Sequence, residues 1–581
     1  MSDKGMVFEE KDMIGTVMGV DTSRVFIEVS NHELVTSMQI GGLLAIQGST
    51  AAEYLIGITD RMVRNMDSRL SFESETVEGE IPVEEVQRDV VRVVMVGTYR
   101  TRDGSQLNLF KRGADSFPQI DRKCYLIEAG NLQLLMSIFV SNLAPEKRLQ
   151  LGSYVHDKSA AAVADGDRFF QRHAAIVGST GSGKSWAVAL ILERASALEH
   201  PDLIVLDMHG EYSPLGAGPS PLAVSLRMAG PGDLVTPGSE TVFLPYWLLN
   251  REEMLSLILE RGDNAPNQAA RFTHHVYKLK EETLNSLGKT EVLASFTVDS
   301  PIPYNIQDLL DRLKAEDEEK VEGAKAGSEK QGPFFGKLTR LISRLRSRID
   351  DRRNGFMFAP PGDALEYDWL NTFAVKFLSS APKSGIKVLD FSEVPSDILP
   401  VVVGVFARVL YDVQFWMNPG ARVPVTLVCD EAHLYLPVSD ESDVISERAL
   451  DTFERIAKEG RKYGVSLLVI SQRPADVSRT ILSQCNNFLA LRLSNDQDQA
   501  VIRRLMPESM AGITDVLPLL DIGEALLLGD AVVLPSRVKL DPPIIKPNSA
   551  TRPFWTEWQQ KPSADAAISG GVECLRRQSR I

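Results

Sequence analysis

The stretch AAIVGSTGSGKSWAVALILE, residues 174–193, decides the fold of this 581-residue chain. The pattern G-x-x-x-x-G-K-[ST] of a phosphate-binding loop is matched by Gly178, Gly183, Lys184 and Ser185. Glycines allow turns in which successive backbone N–H groups point into one concavity, and a helix that follows adds the positive end of its dipole. An apolar run precedes the loop and an apolar helical stretch follows it. The segment therefore predicts strand, nucleotide loop and helix, rather than a glycine-rich surface turn.

Composition and charge describe a globular protein. The chain is 44% hydrophobic and 24% charged, and its length suggests about two to four domains. A formal net charge of −15 argues against a surface coated in basic residues, but not against a local basic channel. No uninterrupted apolar run reaches about 18 residues, and the charged N-terminus lacks the apolar core of a secretory signal. We therefore expect a cytoplasmic protein without a membrane partner.

The cysteines and histidines predict no metal framework. Four cysteines, at positions 124, 429, 485 and 574, form no C-x-x-C pair, which suits a reducing compartment. The pair His274-His275 has no cysteine or carboxylate after it at ligand spacing. We interpret it as ordinary helix residues.

The spacing of apolar residues divides the chain into regions. Short alternating runs begin at residue 13 and resume after an acidic linker, Glu73–Glu85, which predicts a small β-barrel domain over 1–145. Residues 146–172 are interpreted as a connector. From 173 onward, apolar strands alternate with helices, as in an α/β fold with a parallel sheet covered on both faces. The expected strands are 203–207, 386–390, 425–430, 466–470 and 488–493.

The remaining segments complete the predicted architecture. Residues 246–380 have helical periodicity and predict a helical insertion into an ATPase core formed by 146–245 and 381–545. Within the insertion, 313–332 is typical of an exposed or mobile loop. The stretch GEALLLGDAVVLPSRVKL, 523–540, predicts a β-hairpin that turns at Gly529-Asp530. The polar residues 546–581 predict an irregular tail.

An acidic pair follows a second apolar strand, in VTLVCDEAHLYLP, residues 425–437. Asp430, at the strand tip, is expected to hold Mg²⁺ through water, and Glu431 to polarise the attacking water as general base. Lys184 is expected to reach the β- and γ-phosphates of ATP, and the Ser185 hydroxyl to ligate Mg²⁺. The alternative is a solvated carboxylate pair at a strand end. His433, three residues after Asp430, receives no role.

Two other strand ends carry polar residues. Gln472, in SLLVISQRP, is expected to sense the γ-phosphate or orient the water, with a strand cap as the alternative. Asp207, His209 and Glu211 follow the strand 203–207, at the edge where parallel α/β sheets bind ligands. For these three, a catalytic and a structural role both stay open.

Six motifs occur in one order: GSTGSGKS, LDMHGEY, LPYWLLNREE, DEAHLYLP, KEGRKYGVSLLVISQRP and RVKLDPP. Together with the barrel and the insertion, they resemble the HerA family of hexameric DNA translocases, within the wider HerA–FtsK group, over roughly residues 10–545. The resemblance implies a RecA-like P-loop ATPase core behind an N-terminal HAS-barrel, in a ring of six subunits that pulls duplex DNA through its channel. Met208 stands where the family often has Pro, which should alter only the local turn.

The resemblance also implies roles for individual residues. Arg461 matches a family arginine thought to act across the subunit interface. Arg172, Val538 and Lys539 match positions near the nucleotide. The residues expected to bind nucleotide are Arg172, Gly178, Ser179, Thr180, Gly181, Ser182, Gly183, Lys184, Ser185, Trp186, Val538 and Lys539. The expected catalytic residues are Glu431, Arg461 and Gln472, and the expected Mg²⁺ ligands are Ser185 and Asp430.

Members of the family commonly work with a second protein. The resemblance implies an effector docked on the barrel face, such as a NurA-like nuclease, a sirtuin-like NADase or another nuclease, as in anti-phage systems. The competing interpretation is a nucleotide-binding ring that assembles and regulates an effector with little processive motion. A conjugation or export ATPase of the wider group usually has a membrane anchor, and an ABC-type ATPase has an LSGGQ-like signature; neither is visible in the sequence.

A basic run, KLTRLISRLRSRIDDRR, ends the insertion at residues 337–353. It either lines a DNA channel or forms a solvated helix face, and the sequence leaves both interpretations open. Its basic residues are Lys337, Arg340, Arg344, Arg346, Arg348, Arg352 and Arg353.

Overall fold

The structure is a computed structural model. It describes residues 5–580 apart from 22–23, 36–37, 39, 51, 67–86, 104–105, 114–115, 156, 260–264, 323–328, 380–384, 439–443, 507, 550–551 and 560–564. The predicted acidic linker, Glu73–Glu85, lies outside the described residues.

The N-terminal region is a closed antiparallel β-barrel. Its strands are β1 (Met13–Asp21), β2 (Arg24–Val29), β3 (Leu43–Gln47), β4 (Glu53–Met66), β5 (Gln87–Asp103), β6 (Gln106–Arg112) and β7 (Lys123–Leu126). They follow the order β2-β1-β7-β3-β4-β5-β6, and pairing of β2 with β5 closes the barrel, with β6 added on β5. Helix α1 (His32–Val35) lies between β2 and β3, and α2 (Ala129–Ser141) follows β7. The predicted barrel is confirmed.

The first half of the ATPase core carries the phosphate loop. Its strands are β8 (Arg148–Tyr154), β9 (Ala161–Asp165), β10 (Ala174–Val177), β11 (Leu203–Asp207), β12 (Val224–Met228) and β13 (Thr241–Val242). Helix α3 (Gly166–Gln171) precedes β10, and α4 (Lys184–Ser196) follows the loop. The interpretation of 146–172 as a connector is wrong: these residues form β8, β9 and α3, because alternate side chains of both strands are buried in the core.

The insertion is helical, as predicted. Its helices are α5 (Arg251–Ile258), α6 (Ala265–Ser286), α7 (Thr290–Leu293), α8 (Ile306–Asp317), α9 (Thr339–Asp350), α10 (Gly355–Phe358) and α11 (Trp369–Leu378). The expectation of a loop at 313–332 is partly wrong, and its residues 323–328 lie outside the described part of the chain. Residues 313–317 end α8, because Leu313 continues the buried face of Leu309 and Leu310. Strands β14 (Lys320–Glu322) and β15 (Glu329–Gln331) then pair antiparallel and are exposed.

The second half of the core completes the sheet. Its strands are β16 (Ile386–Asp390), β17 (Val425–Cys429), β18 (Val465–Ser471), β19 (Asn487–Leu491), β20 (Glu524–Gly529) and β21 (Ser536–Leu540). Its helices are α12 (Leu399–Trp416), α13 (Val444–Glu459), α14 (Arg479–Gln484) and α15 (Asp496–Leu505). Helix α12 is long and apolar enough to cross a membrane, but 72% of it is buried inside the protein. It is therefore a core helix.

The large sheet has 12 strands in the order β13-β12-β16-β11-β17-β18-β10-β19-β20-β21-β8-β9. The strands from β13 to β19 pair in parallel, and those from β19 to β9 pair antiparallel. The predicted α/β core with a parallel sheet is confirmed. Because all parallel strands end at one edge, the loops after β10, β11, β17 and β18 come together there.

Two predictions near the C-terminus are wrong in part. The hairpin of β20 and β21 forms, but its connection spans 530–535, because Ala531, Val532 and Leu534 fold back into the core. The tail is not wholly irregular: α16 (Phe554–Glu557) and α17 (Asp565–Arg577) lie in it. Its end is attached to the core, since the Arg580 N–H donates to Glu393 Oε1 at 2.9 Å.

Candidate functional site

The phosphate loop connects β10 to α4, and its glycines are required by its backbone. Gly181 and Gly183 have φ of 74° and 105°, a region that L side chains rarely adopt. A Cβ on Gly178 would lie 2.5 Å from Ser182 Oγ and 2.9 Å from the Cβ of Leu491. The turn is closed by the Ser182 N–H, which donates to the Ser179 carbonyl at 3.1 Å.

The loop has polar groups that its own fold leaves unsatisfied. Ser182 Oγ is buried without a hydrogen-bond partner in the described part of the chain. Lys184 is buried, and its Nζ donates to the Ser179 carbonyl at 3.4 Å, with no ion pair among the described residues. Burial lowers the pKa of Lys184, while Glu431, Asp430 and Glu211 oppose that change. The oxygens of a bound polyphosphate would accept a hydrogen bond from Ser182 Oγ, and their negative charge would stabilise the Lys184 cation. The loop therefore fits a nucleotide.

Carboxylates from two strand ends surround Ser185. The Ser185 hydroxyl donates to Glu211 Oε2 at 2.7 Å, and the Tyr212 hydroxyl lies 3.5 Å from Asp430 Oδ1. Burial raises the pKa of Asp430 well above its usual range, and Glu431, Asp207 and Glu211 raise it further. A divalent cation here would stabilise the charged forms. The described residues contain no group of three or more His, Cys, Asp or Glu side chains that could hold a metal ion. Mg²⁺ commonly takes one or two protein ligands and completes its shell with phosphate and water.

Asp207 has a structural role in the turn after β11. Its Oδ1 accepts N–H bonds from His209, Gly210 and Glu211 at 3.2, 2.8 and 3.1 Å, and its Oδ2 accepts from the Tyr212 N–H at 2.9 Å. Burial raises the pKa of Asp207 to about 6. Of the three residues left open by the sequence, Glu211 reaches Ser185, Asp207 shapes the turn, and His209 is exposed.

Glu431 and Gln472 both lie beside the loop. Glu431 has a φ of 44°, and its Oε2 is buried with no hydrogen bond within the described residues. Gln472 Oε1 accepts a hydrogen bond from Thr180 Oγ1 at 2.7 Å. A cavity of about 350 Å³ opens next to this contact, and Arg473 and Asp476 line it with them. The structure therefore brings the predicted base and the predicted sensor to one phosphate loop.

The last hairpin and the following segment complete this side of the site. The Gly523 N–H donates to the Ser182 carbonyl at 3.3 Å, and Lys539 Nζ donates to the Ile522 carbonyl at 2.8 Å. Lys539 is thus beside the loop, whereas the Val538 side chain is buried in the core. Trp186 is 39% exposed, and Lys546 Nζ lies 5.6 Å from its ring centre. Nothing in the sequence around Lys546 predicts its contact with Trp186, because the two residues are far apart in the chain.

Arg172 and Arg461 lie at the opposite edge of the sheet. Strands β10 and β18 are parallel, with Val177 beside Ser471, and each arginine precedes its strand. At about 3.3 Å per residue, the four residues of β10 place Arg172 at least ~13 Å from the phosphate loop, and the seven residues of β18 place Arg461 at least ~23 Å from the same edge. Arg172 is paired with Asp530, and Arg461 is exposed with no partner in the described part of the chain. Neither can contact a nucleotide held by its own subunit.

The basic run of α9 is mostly a surface feature. Arg348 donates to Asp397 Oδ2 at 3.0 Å and attaches the helix to the core, while Leu341 and Leu345 form its buried face. The exposed basic residues of the run are Lys337, Arg340, Arg346, Arg352 and Arg353.

Comparison with known proteins agrees with this geometry. Residues 149–410 match a family described as Helicase HerA, central domain. The chain is 27% identical over 428 residues to the DNA double-strand break repair helicase HerA of Pyrococcus furiosus, covering 68% of this chain and 69% of that protein. It is 25% identical over 443 residues to a probable helicase of Methanocaldococcus jannaschii, covering 75% of each. A HerA of the same description from Sulfolobus acidocaldarius is 27% identical over 379 residues, covering 64% of this chain and 65% of that protein.

Among solved structures, VirB4 of Thermoanaerobacter pseudethanolicus aligns with a TM-score of 0.45 and 17% identity, over 71% of this chain and 99% of that one. The matched family spans the phosphate loop, β11 and the insertion, and the curated relatives share its description. The central region of the chain is therefore similar to the HerA helicases.

Proposed function

We propose that the chain is an ATP-driven translocase on duplex DNA that acts as a ring of six subunits. One observation carries the proposal: site residues occupy both edges of one sheet. The carboxyl edge has the phosphate loop, Asp430 and Glu431, and the amino edge has Arg461 and Arg172, which their own nucleotide cannot reach. Such a site is complete only where two copies meet. The similarity to double-strand break repair helicases supports DNA as the substrate.

Each residue of the carboxyl edge has a proposed part in ATP hydrolysis. Lys184 and the loop N–H groups hold the phosphates, while Ser185 and, through water, Asp430 hold Mg²⁺. When bound, ATP with Mg²⁺ supplies the phosphoanhydride bond whose hydrolysis releases the energy. Glu431 accepts the proton of the attacking water, and Gln472 orients that water. Arg461 of a neighbouring subunit stabilises the charge that develops on the transferred phosphoryl group.

The effector and the cellular role belong to the same proposal. The barrel would form one face of the ring and present a docking surface for an effector such as a NurA-like nuclease, a sirtuin-like NADase or another nuclease. We propose that this complex acts in the cytoplasm in anti-phage defence.

The proposal is tested by ATP hydrolysis with and without duplex DNA, together with triplex displacement as a readout of translocation. We expect DNA to stimulate hydrolysis and Lys184→Ala to abolish it, since the loop loses its cationic phosphate contact. Glu431→Ala should still bind ATP but hydrolyse it at least ~10²-fold more slowly. Lys314→Ala, at an exposed lysine of α8, is the control and should behave as wild type.

Two results would count against the proposal. Wild-type hydrolysis by Glu431→Ala would remove that residue from the mechanism. ATP turnover that is indifferent to duplex DNA, with no triplex displacement, would favour a ring that only assembles and regulates an effector.

A further inference from the structure

The turn after β17 holds Glu431 in an unusual backbone conformation. Its φ and ψ of 44° and 46° lie in the left-handed region, which non-glycine residues rarely adopt. Two hydrogen bonds keep the turn in place: the Leu434 N–H donates to the Glu431 carbonyl at 2.9 Å, and the Tyr435 hydroxyl donates to the Asp430 carbonyl at 3.1 Å. Strain of this kind is retained where the surrounding structure fixes it, commonly at functional sites. The fold therefore fixes the direction of the Cα–Cβ bond of Glu431, while the torsions further along the side chain depend on its neighbours.

His433 lies where that side chain ends. Its Nδ1 is 3.3 Å from Glu431 Oε2, the buried oxygen that has no hydrogen bond within the described residues. Both side chains are only 14% exposed. A carboxylate can only accept, so an attractive contact requires the imidazole proton to be on Nδ1. In that tautomer, His433 restrains the carboxylate without taking part in proton transfer.

The same nitrogen also faces the end of β18. His433 Nδ1 is 3.5 Å from Ser471 Oγ, and the buried Ser471 hydroxyl oxygen accepts the Arg473 N–H at 3.0 Å. Ser471 directly precedes Gln472, which bonds Thr180 of the phosphate loop. One imidazole nitrogen is therefore placed between the proposed general base and the strand end that carries the proposed phosphate sensor.

We propose that His433 is a positioning residue that sets the direction of the Glu431 carboxylate from the end of β18. The inference rests on the proposed role of Glu431 as general base. His433 keeps its proton throughout, while the proton of the attacking water goes to Glu431. Loss of the imidazole leaves the carboxylate free to rotate away from the water, which lowers the rate of hydrolysis without changing the phosphate contacts of the loop.

The experiment compares three substitutions of His433 by ATP binding and by steady-state hydrolysis. His433→Ala should lower kcat by ~10- to 10²-fold, the scale of a misplaced catalytic group, with the Kd for ATP within about twofold of wild type. His433→Asn should recover most of the rate, because its side-chain N–H₂ lies where Nδ1 was. His433→Gln should not recover it, because its amide reaches the position of Nε2 instead.

Two further variants separate positioning from a general loss of structure. His209→Ala changes an exposed histidine at the same edge of the sheet and should leave hydrolysis unchanged. In a Glu431→Gln background, adding His433→Ala should cause no further loss, because the carboxylate to be positioned is already absent.

The outcomes distinguish the inference from the function on which it rests. If wild type hydrolyses no ATP, the proposed function fails. If Glu431→Ala hydrolyses ATP normally, the proposed role of Glu431 fails, and this inference fails with it. If Glu431→Ala is inactive but His433→Ala has wild-type kcat, only the role of His433 is rejected. If His433→Ala does not fold, the Asn and Gln variants decide: an active Asn and an inactive Gln support the role, and equal rates overturn it.

Discussion

The two edges of the parallel sheet are built differently. At the carboxyl edge, Ser182 Oγ and Glu431 Oε2 are buried polar atoms without hydrogen bonds in the described structure, next to a lysine whose pKa is lowered by burial. At the amino edge, Arg172 is paired with Asp530, and Arg461 projects into solvent. Ser182 Oγ and Lys184 are groups that an anionic ligand held by the same chain would satisfy, whereas an exposed arginine on a fixed turn suits a ligand held by another copy.

The turn that carries Arg461 is itself held in place. Arg422 donates to the carbonyls of Gln414, Phe415 and Lys462 at 3.0, 3.3 and 3.0 Å, and its guanidinium lies 4.8 Å from the Tyr463 ring centre. These bonds connect the end of α12 to the turn Gly460–Tyr463. The amino edge therefore presents Arg461 from a rigid support, although Arg461 itself has no hydrogen bond or ion pair among the described residues.

The substitution Arg461→Ala, at the amino edge, is expected to have the largest effect on ATP hydrolysis. A transition-state arginine contributes ~10³- to 10⁵-fold in rate, whereas a cation near a helix end contributes only ~0.3–1 kcal/mol to stability. We expect Arg461→Ala to be inactive alone, as Lys184→Ala is. Mixed rings should regain partial ATP hydrolysis, because some interfaces then pair an intact loop with an intact Arg461.

Mixing the two variants therefore tests which copy uses the arginine. Activity that stays absent in mixed rings would place Arg461 in the site of its own subunit, against the geometry. Full activity of Arg461→Ala alone would reject the residue and direct attention to Arg473, which lies at the carboxyl edge.

Arg422→Ala tests whether the support of Arg461 matters. Removing three hydrogen bonds and the stacking on Tyr463 should loosen the turn and reduce hydrolysis by ~10- to 10²-fold, with ATP binding retained. Arg455→Ala is the matched control, since Arg455 stacks on Tyr411 and Phe415 in the same cluster. A drop of equal size in both variants would mean that the cluster affects activity through stability alone.

Substitutions in α9 of the insertion test whether DNA binds a surface separate from both edges of the large sheet. We expect Arg340→Gln, Arg346→Gln and Arg352→Gln together to weaken duplex binding and to make its salt dependence shallower, by up to ~0.9 in the log–log slope per lost phosphate contact. Arg348→Gln is the control. It breaks the ion pair with Asp397, so it should lower thermal stability and change the salt slope of duplex binding little. If the triple variant has the same affinity for duplex DNA and the same salt slope as wild type, α9 is a solvated helix face and not a DNA-binding surface.

The smallest expected effect is that of Trp186→Ala at the carboxyl edge. A half-exposed indole next to Ser185 is suited to stack on a base, and such a contact is worth ~0.5–1.5 kcal/mol. KM for ATP should rise about two- to tenfold with kcat unchanged. Trp555→Ala, at a tryptophan that is 78% exposed in the tail, should change neither constant.

Local sequence pattern predicts one part of the site well. Phosphate-loop glycines, apolar strands and the polar residues directly after them are fixed by neighbours along the chain, so the pattern alone places Lys184, Asp430 and Gln472 at one edge of the sheet. Contacts between distant residues have no such pattern. Ser471 and His433 are 38 residues apart, and Arg348 and Asp397 are 49 apart. Strands β8 and β9 were missed for the same reason, because only pairing with the distant β21 makes them part of the sheet.

The hairpin of β20 and β21 has a mechanical consequence. One end of it contacts the phosphate loop through Gly523, and the other holds Arg172 through Asp530. Because β20 and β21 are hydrogen-bonded to each other as an antiparallel pair, the hairpin connects these two ends as one unit. In the proposed ring, the hairpin would therefore connect the phosphate loop of a subunit to the edge of its sheet that faces a neighbouring subunit.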